Sequence, residues 1–525
     1  MAPSHVGFSA VALAAALLLQ PAMATTFRWA NDGDVNAMDP YTRQETVQLS
    51  FLGNIYEPLL RRGRDLGLEP ALAVKWEQTS PTVWRFHLRP GVKWQDGSPF
   101  TADDVVFSLG RILSKTSSMR APLAPVKEVR KIDDLTVDFE TLAPDPIFAQ
   151  EQTNMLVMSK AWCEKNNAVE PVLLGKDDSY SLRHAMGTGP FKLVSREPDR
   201  RTVVEKNPGW WDQATHNLDR VEFHVIGSAA TRVAALLSGD VDMIYSVPPQ
   251  DIARISQTPG LRLVNTPELR TIFLGFNVSR DELPTSDVKG KNPLRDVRVR
   301  QAIGLAIDET AIVKHVMLNL GRATALMWGP GINGYDAALD VRPAFDLAKA
   351  RQLLADAGYP NGFRLGLDCP NDRYVMDEQI CTAIVPMLAR AGIKIDLTAQ
   401  TKTKYLTKIL APNYDTDFYM LGWTPGTYDA HNVLYSLLGT RDGKRGEVNV
   451  TGYSNPELDA LITRIGVETD QSARLGLIRQ TIEILRRDMP TLPLHQQAIV
   501  WAAKSNIDLV QPADNTFSYR FVTVK

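Results

Sequence analysis

The apolar run from Phe8 to Leu19 and the small-x-small triplet Ala22-Met23-Ala24 behind it have the pattern of an export leader with its cleavage site. The run is shorter than the roughly 20 apolar residues a bilayer span needs, and no later run resembles it, so a soluble mature chain of residues 25–525 is expected. The segment ahead of the run holds no Lys or Arg, only His5 and the terminal amine, and no cysteine follows it to carry a lipid anchor. Taking 24 residues from 525 leaves 501. That is more than one hydrophobic core organises, so two or three domains are expected.

Export also decides how the three cysteines are read. Cys369 and Cys381 stand twelve positions apart in "DCPNDRYVMDEQIC", with Arg373 between them. In an oxidising compartment such a pair closes. Zinc would want four ligands in short paired spacings, and no histidine lies near this loop; a redox C-x-x-C is absent. A disulfide between Cys369 and Cys381 is therefore expected, worth about 3 kcal/mol in the chain-entropy model. Cys163 in "SKAWCEKNN" is left over as a half-buried structural thiol.

Hydrophobic content of 44% and charged content of 22% are those of an ordinary globular protein. A formal net charge of -2 leaves no electrostatic footprint for nucleic acid or an anionic membrane. Catalytic signatures are missing: there is no G-x-S-x-G elbow and no H-E-x-x-H. The pairs Asp103-Asp104 and Asp133-Asp134 fall in caps and turns, where Asp serves the backbone, and His431 is a lone histidine in a loop. "GTGPF" lacks the G-K-[ST] ending of a phosphate loop, and "NPGWW" reads as subdomain packing before it reads as an aromatic platform. No cofactor and no metal site are expected. An exported hydrolase is the rival from another functional class.

Local patterns give a mixed α/β chain. Val83, Arg85 and His87 alternate against Trp84, Phe86 and Leu88, which predicts a strand, followed by turns at Pro90-Gly91 and Asp96-Gly97. Thr101 with Asp104 predicts a capped helix from about Ala102 to Leu113. Asp346 caps a second helix that stops at Gly358 and Pro360. "TIFLGFNV" and "GIKIDLTAQ" are strand-like, and "VRVRQAIGLAIDETAIVKHVML" is helical.

The stretches "NIYEPLL", "WRFHLRPGVKWQDGSPFTADDVVFSL", "GTGPFKL", "NPGWW", "ALLSGDVDMI", "NPLRDVRVRQAIGLAID", "KARQLLADAGYPNGF" and "YSNPELDALI" together resemble the peptide and nickel family, family 5, of extracytoplasmic solute-binding proteins of ABC importers. They occur in the family's order along almost the whole mature chain. The resemblance implies a two-lobed α/β periplasmic binding protein fold, type II and cluster C-like, with an extra subdomain in the first lobe. Lobe I would span 25–276 with a return at 505–525, its subdomain 58–185, and lobe II 277–504. It further implies a monomer without catalytic activity that captures a short peptide in the periplasm, between the lobes, and delivers it to an inner-membrane permease with its ATPase subunits. A metal chelate, an opine or another carboxylated metabolite is the alternative ligand, because fold does not choose among them.

The resemblance also points to a site. In dipeptide-binding members an arginine before a helix of the second lobe holds the ligand's carboxylate, upstream of a Gly-Trp pair in the next strand. Arg373 and Gly422-Trp423 match that pattern, with Tyr374 and Asn277 as neighbouring ligand-facing candidates. A guanidinium offers a planar fork to a carboxylate, and a disulfide would hold its loop in place beforehand. The plain alternative is that Arg373 pairs with Asp372 or Asp377. Peptide-binding members place an aspartate for the ligand amine three residues after the tryptophan, where this chain has Gly426. Asp429 either takes over that contact or corresponds to a second acid that shapes the loop.

Overall fold

The computed structural model describes residues 24–123 and 125–525; the expected leader lies outside them. The strands that position the site are, in chain order, β1 (Thr26–Asn31), β2 (Leu60–Arg62), β3 (Leu68–Pro70), β4 (Ala73–Ser80), β5 (Val83–Leu88), β6 (Val126–Asp133), β7 (Thr136–Thr141), β8 (Phe191–Glu197), β9 (Arg201–Lys206), β10 (Arg220–Val225), β11 (Met243–Ile244), β12 (Leu261–Phe276), β13 (Gly321–Ala323), β14 (Phe363–Pro370), β15 (Ile393–Gln400), β16 (Phe418–Trp423) and β17 (Thr491–Lys504).

An eleven-stranded mixed sheet runs β15-β14-β16-β12-β17-β11-β1-β10-β9-β8, with β13 beside β17. Its spine is the antiparallel pair β12 and β17, long enough to serve both lobes. Residues 261–267 of β12 pair with 498–504 of β17, and 271–275 pair with 491–496, with the register shifting between Pro267 and Thr271. A bulge of this kind bends and twists a strand. On one side of it Val500, Ala502 and Trp501 join cores built on β1, β10 and β11. On the other, Ile272, Leu274 and Leu494 join a core with β14 and the helix Asp377–Ala391, while Leu269 and Phe273 pack with Tyr419 and Trp328. The cores thus change over inside the two strands, whereas the sequence-based boundaries at 276/277 and 504/505 mark strand ends.

The first lobe carries a separate antiparallel sheet, β4-β5-β7-β6, inside the stretch expected to be a subdomain. Phe86 and Phe139 meet edge-on across it at 5.5 Å. The helix Ala102–Leu113 packs against β6, and Asp104 accepts the Thr101 backbone N–H at 3.0 Å, as the capping pattern predicts. One expected helix divides: the run from Val297 stops at Ala306, and Asp308 caps a restart by accepting from the Ala311 N–H at 2.9 Å. No helix among the described residues is long and apolar enough to cross a membrane.

Candidate functional site

The loop from the end of β14 to the helix Asp377–Ala391 carries Arg373. Cys369 on β14 and Cys381 on the helix are joined by a disulfide, Cα to Cα 6.7 Å, and both are buried. Asp377 turns its carboxylate back on the loop, accepting the backbone N–H of Arg373 at 2.8 Å and of Tyr374 at 2.9 Å. Asp372 accepts the Lys402 N–H at 2.5 Å. Both acids offered as partners for Arg373 are therefore occupied by backbone. The half-buried guanidinium of Arg373 lies 5.3 Å over the Tyr374 ring and makes no hydrogen bond or ion pair among the described residues.

Tyr374 ties this loop to β16, its hydroxyl accepting from the Gly422 N–H at 2.9 Å; burial pushes that hydroxyl's pKa up. Position 422 takes glycine because a Cβ there would stand 2.7 Å from Ile272 and 2.8 Å from the Tyr374 ring. The Trp423 indole is held by Asn432 Oδ1 at 2.9 Å. Arg373, Tyr374, Gly422 and Trp423 are thus brought together.

Asp429 and Asn277 are not part of that group. Asp429 is fully buried, paired through both oxygens with Arg474 at 2.7 and 2.8 Å. It also accepts from Asn333 Nδ2 and from the His431 N–H, each at 2.8 Å, and so caps the helix Ala430–Val433. It shapes the loop, and a contact to a ligand amine does not fit this geometry. Asn277 is buried too, donating to the Thr416 carbonyl at 2.9 Å and accepting from the Ser279 and Arg280 N–H groups. His431 Nε2 faces the Ile462 carbonyl at 3.1 Å.

Gly426 lines a cavity of about 320 Å³ where the lobes face each other. Thr424 and Tyr428 flank it on the second-lobe side; Glu57, Arg62, Trp210 and Asp514 face it from the first. Sequence reasoning missed these last residues and Tyr428. The Glu57 carboxylate accepts from the indoles of Trp210 at 3.0 Å and Trp211 at 2.7 Å and from Thr188 at 2.9 Å, and burial still pushes it above the usual carboxylate range. Trp210 of "NPGWW" therefore lines the cleft, while Trp211 packs against the first-lobe core and holds Glu57. The "GTGPF" glycines let two segments touch: a Cβ on Gly187 would collide with the Ile55 carbonyl, and Gly189 donates to that carbonyl at 2.9 Å. Across the cleft, the Tyr428 hydroxyl donates to Asp514 at 2.8 Å and its ring lies 4.1 Å under the Arg62 guanidinium.

At the β12 bulge, Glu268 connects both sides. It accepts from Gln497 Nε2 at 2.5 Å and from Asn515 Nδ2 at 2.9 Å, while Gln497 Oε1 accepts the Val375 N–H beside the Arg373 loop at 3.2 Å. Arg270, between Glu268 and the Thr424 hydroxyl, adds a second cation here. A larger cavity of about 620 Å³ lies within the second lobe, walled by Leu305, Leu326, Ile482 and Leu492, and meets no first-lobe residue; Arg373, Tyr374 and Trp423 line neither cavity. The cleft is thus the only one of the two that both lobes build.

Residues 67–445 match the family described as bacterial extracellular solute-binding proteins, family 5 Middle. The glutathione-binding protein GsiB of Pectobacterium atrosepticum is 25% identical over 495 residues, covering 92% of this chain and 91% of that protein. Heme-binding protein A of Haemophilus influenzae is 28% identical over 456 residues, covering 81% and 78%. Among solved structures, HbpA2 from Haemophilus parasuis superposes with a TM-score of 0.81 at 24% identity, over 95% of this chain and 100% of that one. The two-lobed fold and a family match through most of the chain together show that this protein belongs to the extracellular solute-binding proteins of family 5, the binding components of ABC importers.

Proposed function

We propose that the protein captures a short peptide through its carboxylate in the periplasm and passes it intact to an inner-membrane ABC permease, working as a monomer. The observation that carries this reading is the Arg373 guanidinium, left without a hydrogen-bond or ion-pair partner among the described residues on a loop fastened by Cys369–Cys381 and Asp377. A carboxylate satisfies such a fork with paired, charge-assisted hydrogen bonds, and the fixed loop reduces the ordering cost of binding. Arg373, Tyr374 and the Gly422–Tyr428 loop form the second-lobe face of the site. Glu57, Arg62 and Trp210 form the first-lobe face. Closure bends β12 and β17 at the 268–270 bulge, so the lobes divide there, with the subdomain of about 58–185 riding on the first.

A second reading, a non-peptide carboxylated solute, is favoured by one specific observation. Gly426 supplies no acid and Asp429 is committed to Arg474, so no acid of the 422–429 loop remains for a ligand amine. The two named relatives bind different solutes, glutathione and heme. Native mass spectrometry of protein purified from its own periplasm tests both readings. A co-purified peptide or other carboxylated solute is expected; a bound solute without an acidic group contradicts both.

A further inference from the structure

The charged groups of the cleft are unequally satisfied. Its acids already hold donors on each oxygen: Glu57 those of Trp210, Trp211 and Thr188, and Asp514 those of Tyr428, the Thr516 N–H and the Thr516 hydroxyl. Two of its arginines, Arg61 and Arg62, keep nitrogens without an acceptor among the described residues. Arg62 gives Nη1 to the Leu66 carbonyl at 3.0 Å, but its Nε and Nη2 are buried with no partner among the described residues, and so is Nη1 of neighbouring Arg61. Arg61 spends its other nitrogens on Glu69 and Asp212, and Arg520 turns to Glu69 and the Arg62 carbonyl. Arg62 has no ion pair within 4.0 Å among the described residues.

Left dry, unpartnered guanidinium N–H groups are costly. Burial depresses the Arg62 pKa from its ordinary value, with Asp514 and Tyr428 opposing that shift. Its planar face is fixed on Tyr428, and the β2–β3 turn holds Nη1, so the side chain is oriented before anything arrives. What the site lacks is an acceptor, and an anionic one.

We infer that Arg62, with Arg61 behind it, is a subsite for a second acidic group of the solute, so that the preferred ligand is at least a dianion spanning from Arg373 to the first lobe. The inference rests on the carboxylate-capture reading above and narrows its substrate class to acidic peptides and other dicarboxylated solutes. Arg62 sits in the first lobe and stacks on a second-lobe tyrosine, so a ligand acid bound there also touches both sides of the cleft.

Matched acid and neutral ligands test it: Ala-Glu against Ala-Gln, and Ala-Asp against Ala-Asn, titrated into the wild type, Arg62→Gln, Arg62→Lys and Arg373→Gln by calorimetry, with circular dichroism as a check on folding. The acid member of a pair is expected to bind the wild type about 10- to 100-fold tighter, the usual range for a hydrogen bond to a charged group. Arg62→Gln should erase that preference by weakening the acid member more than the neutral one, Arg62→Lys should retain part of it, and Arg373→Gln should weaken both members alike. An acid preference unchanged in Arg62→Gln, or none in the wild type, overturns the subsite while leaving the Arg373 reading intact. Binding indifferent to Arg373→Gln overturns the carboxylate-capture reading, and no binding by any probe overturns both.

Discussion

At the residue scale, Asp429 and Gly426 separate scaffold from site. Asp429→Asn leaves the Arg474 guanidinium buried beside a neutral amide, and breaking a buried pair costs on the order of 3–5 kcal/mol. Thermal melting should fall steeply in that variant, while the folded fraction binds ligand as the wild type does. A loss of affinity without loss of stability would put Asp429 back in the cleft. Gly426 makes the opposite prediction. A Cβ there meets no atom within 4 Å, so Gly426→Asp should fold normally and bind free-amine dipeptides tighter than N-acetylated ones; equal affinity for the two would show that position 426 does not face the ligand amine. The adjacency of the Arg373 loop to Gly422-Trp423 was legible only through the family resemblance, since the Tyr374–Gly422 contact that joins them spans 48 positions. Asp429's role was not, because Arg474 lies 45 positions away and nothing near Asp429 announces it. Arg62 was hidden for the same reason, since its meaning depends on Tyr428 and Asp514 closing over it from distant parts of the chain.

At the element scale, the disulfide fastens β14 to the helix Asp377–Ala391 and so fixes the loop between them. Thiol titration of unreduced, denatured protein should find one reactive cysteine, Cys163. In the folded protein that thiol should stay unreactive, because it is fully buried and burial pushes its pKa up to about 12, which removes the thiolate nucleophile. Replacing Cys369 and Cys381 by Ser should cost up to about 3 kcal/mol of stability, measured by denaturant melts, with a smaller loss of affinity. Three reactive thiols in the unreduced chain would remove the fastening. Elements with local punctuation were well read from sequence: Val83–Leu88 alternates, Thr101 and Asp104 cap a helix, and Asp346 caps another by accepting the Lys349 N–H at 2.9 Å. The change of core inside β12 and β17, away from the boundaries expected at 276/277 and 504/505, left little mark in the sequence for a physical reason. Residues 261–275 of β12 run beside β17 with register shifts between Pro267 and Thr271 and between Ile272 and Phe273, and apart from Pro267 the sequence around those shifts has no Gly or Pro to mark a break.

At the scale of the whole molecule, contact between lobes couples to acidity. Asp145, in the first lobe, lies close enough to Arg474 and Asp429 of the second for their charges to act on it. Beside it burial, and then the Asp145 carboxylate, push the Glu151 carboxyl up to about 9. The folded protein therefore keeps a proton on Glu151 at pH values where the unfolded chain has released it. The stability this supports is present in full below the ordinary Glu pKa and drains away as pH rises toward about 9. Glu151→Gln should flatten the fall of melting temperature between about pH 5 and pH 9, measured across a buffer series; an unchanged slope would mean that Glu151 is ionised in the fold. The most direct test of the central claim, capture without chemistry at Arg373, is an equilibrium titration with the co-purified solute followed by mass analysis of what is recovered. Ten tryptophans, with Trp210 in the cleft wall and Trp423 on the Arg373 side, give the fluorescence signal. Saturable binding, recovery of the solute unchanged, and a loss of about 1.5–3 kcal/mol of affinity in Arg373→Ala are the predicted result; a chemically altered solute, or undiminished binding by Arg373→Ala, contradicts it.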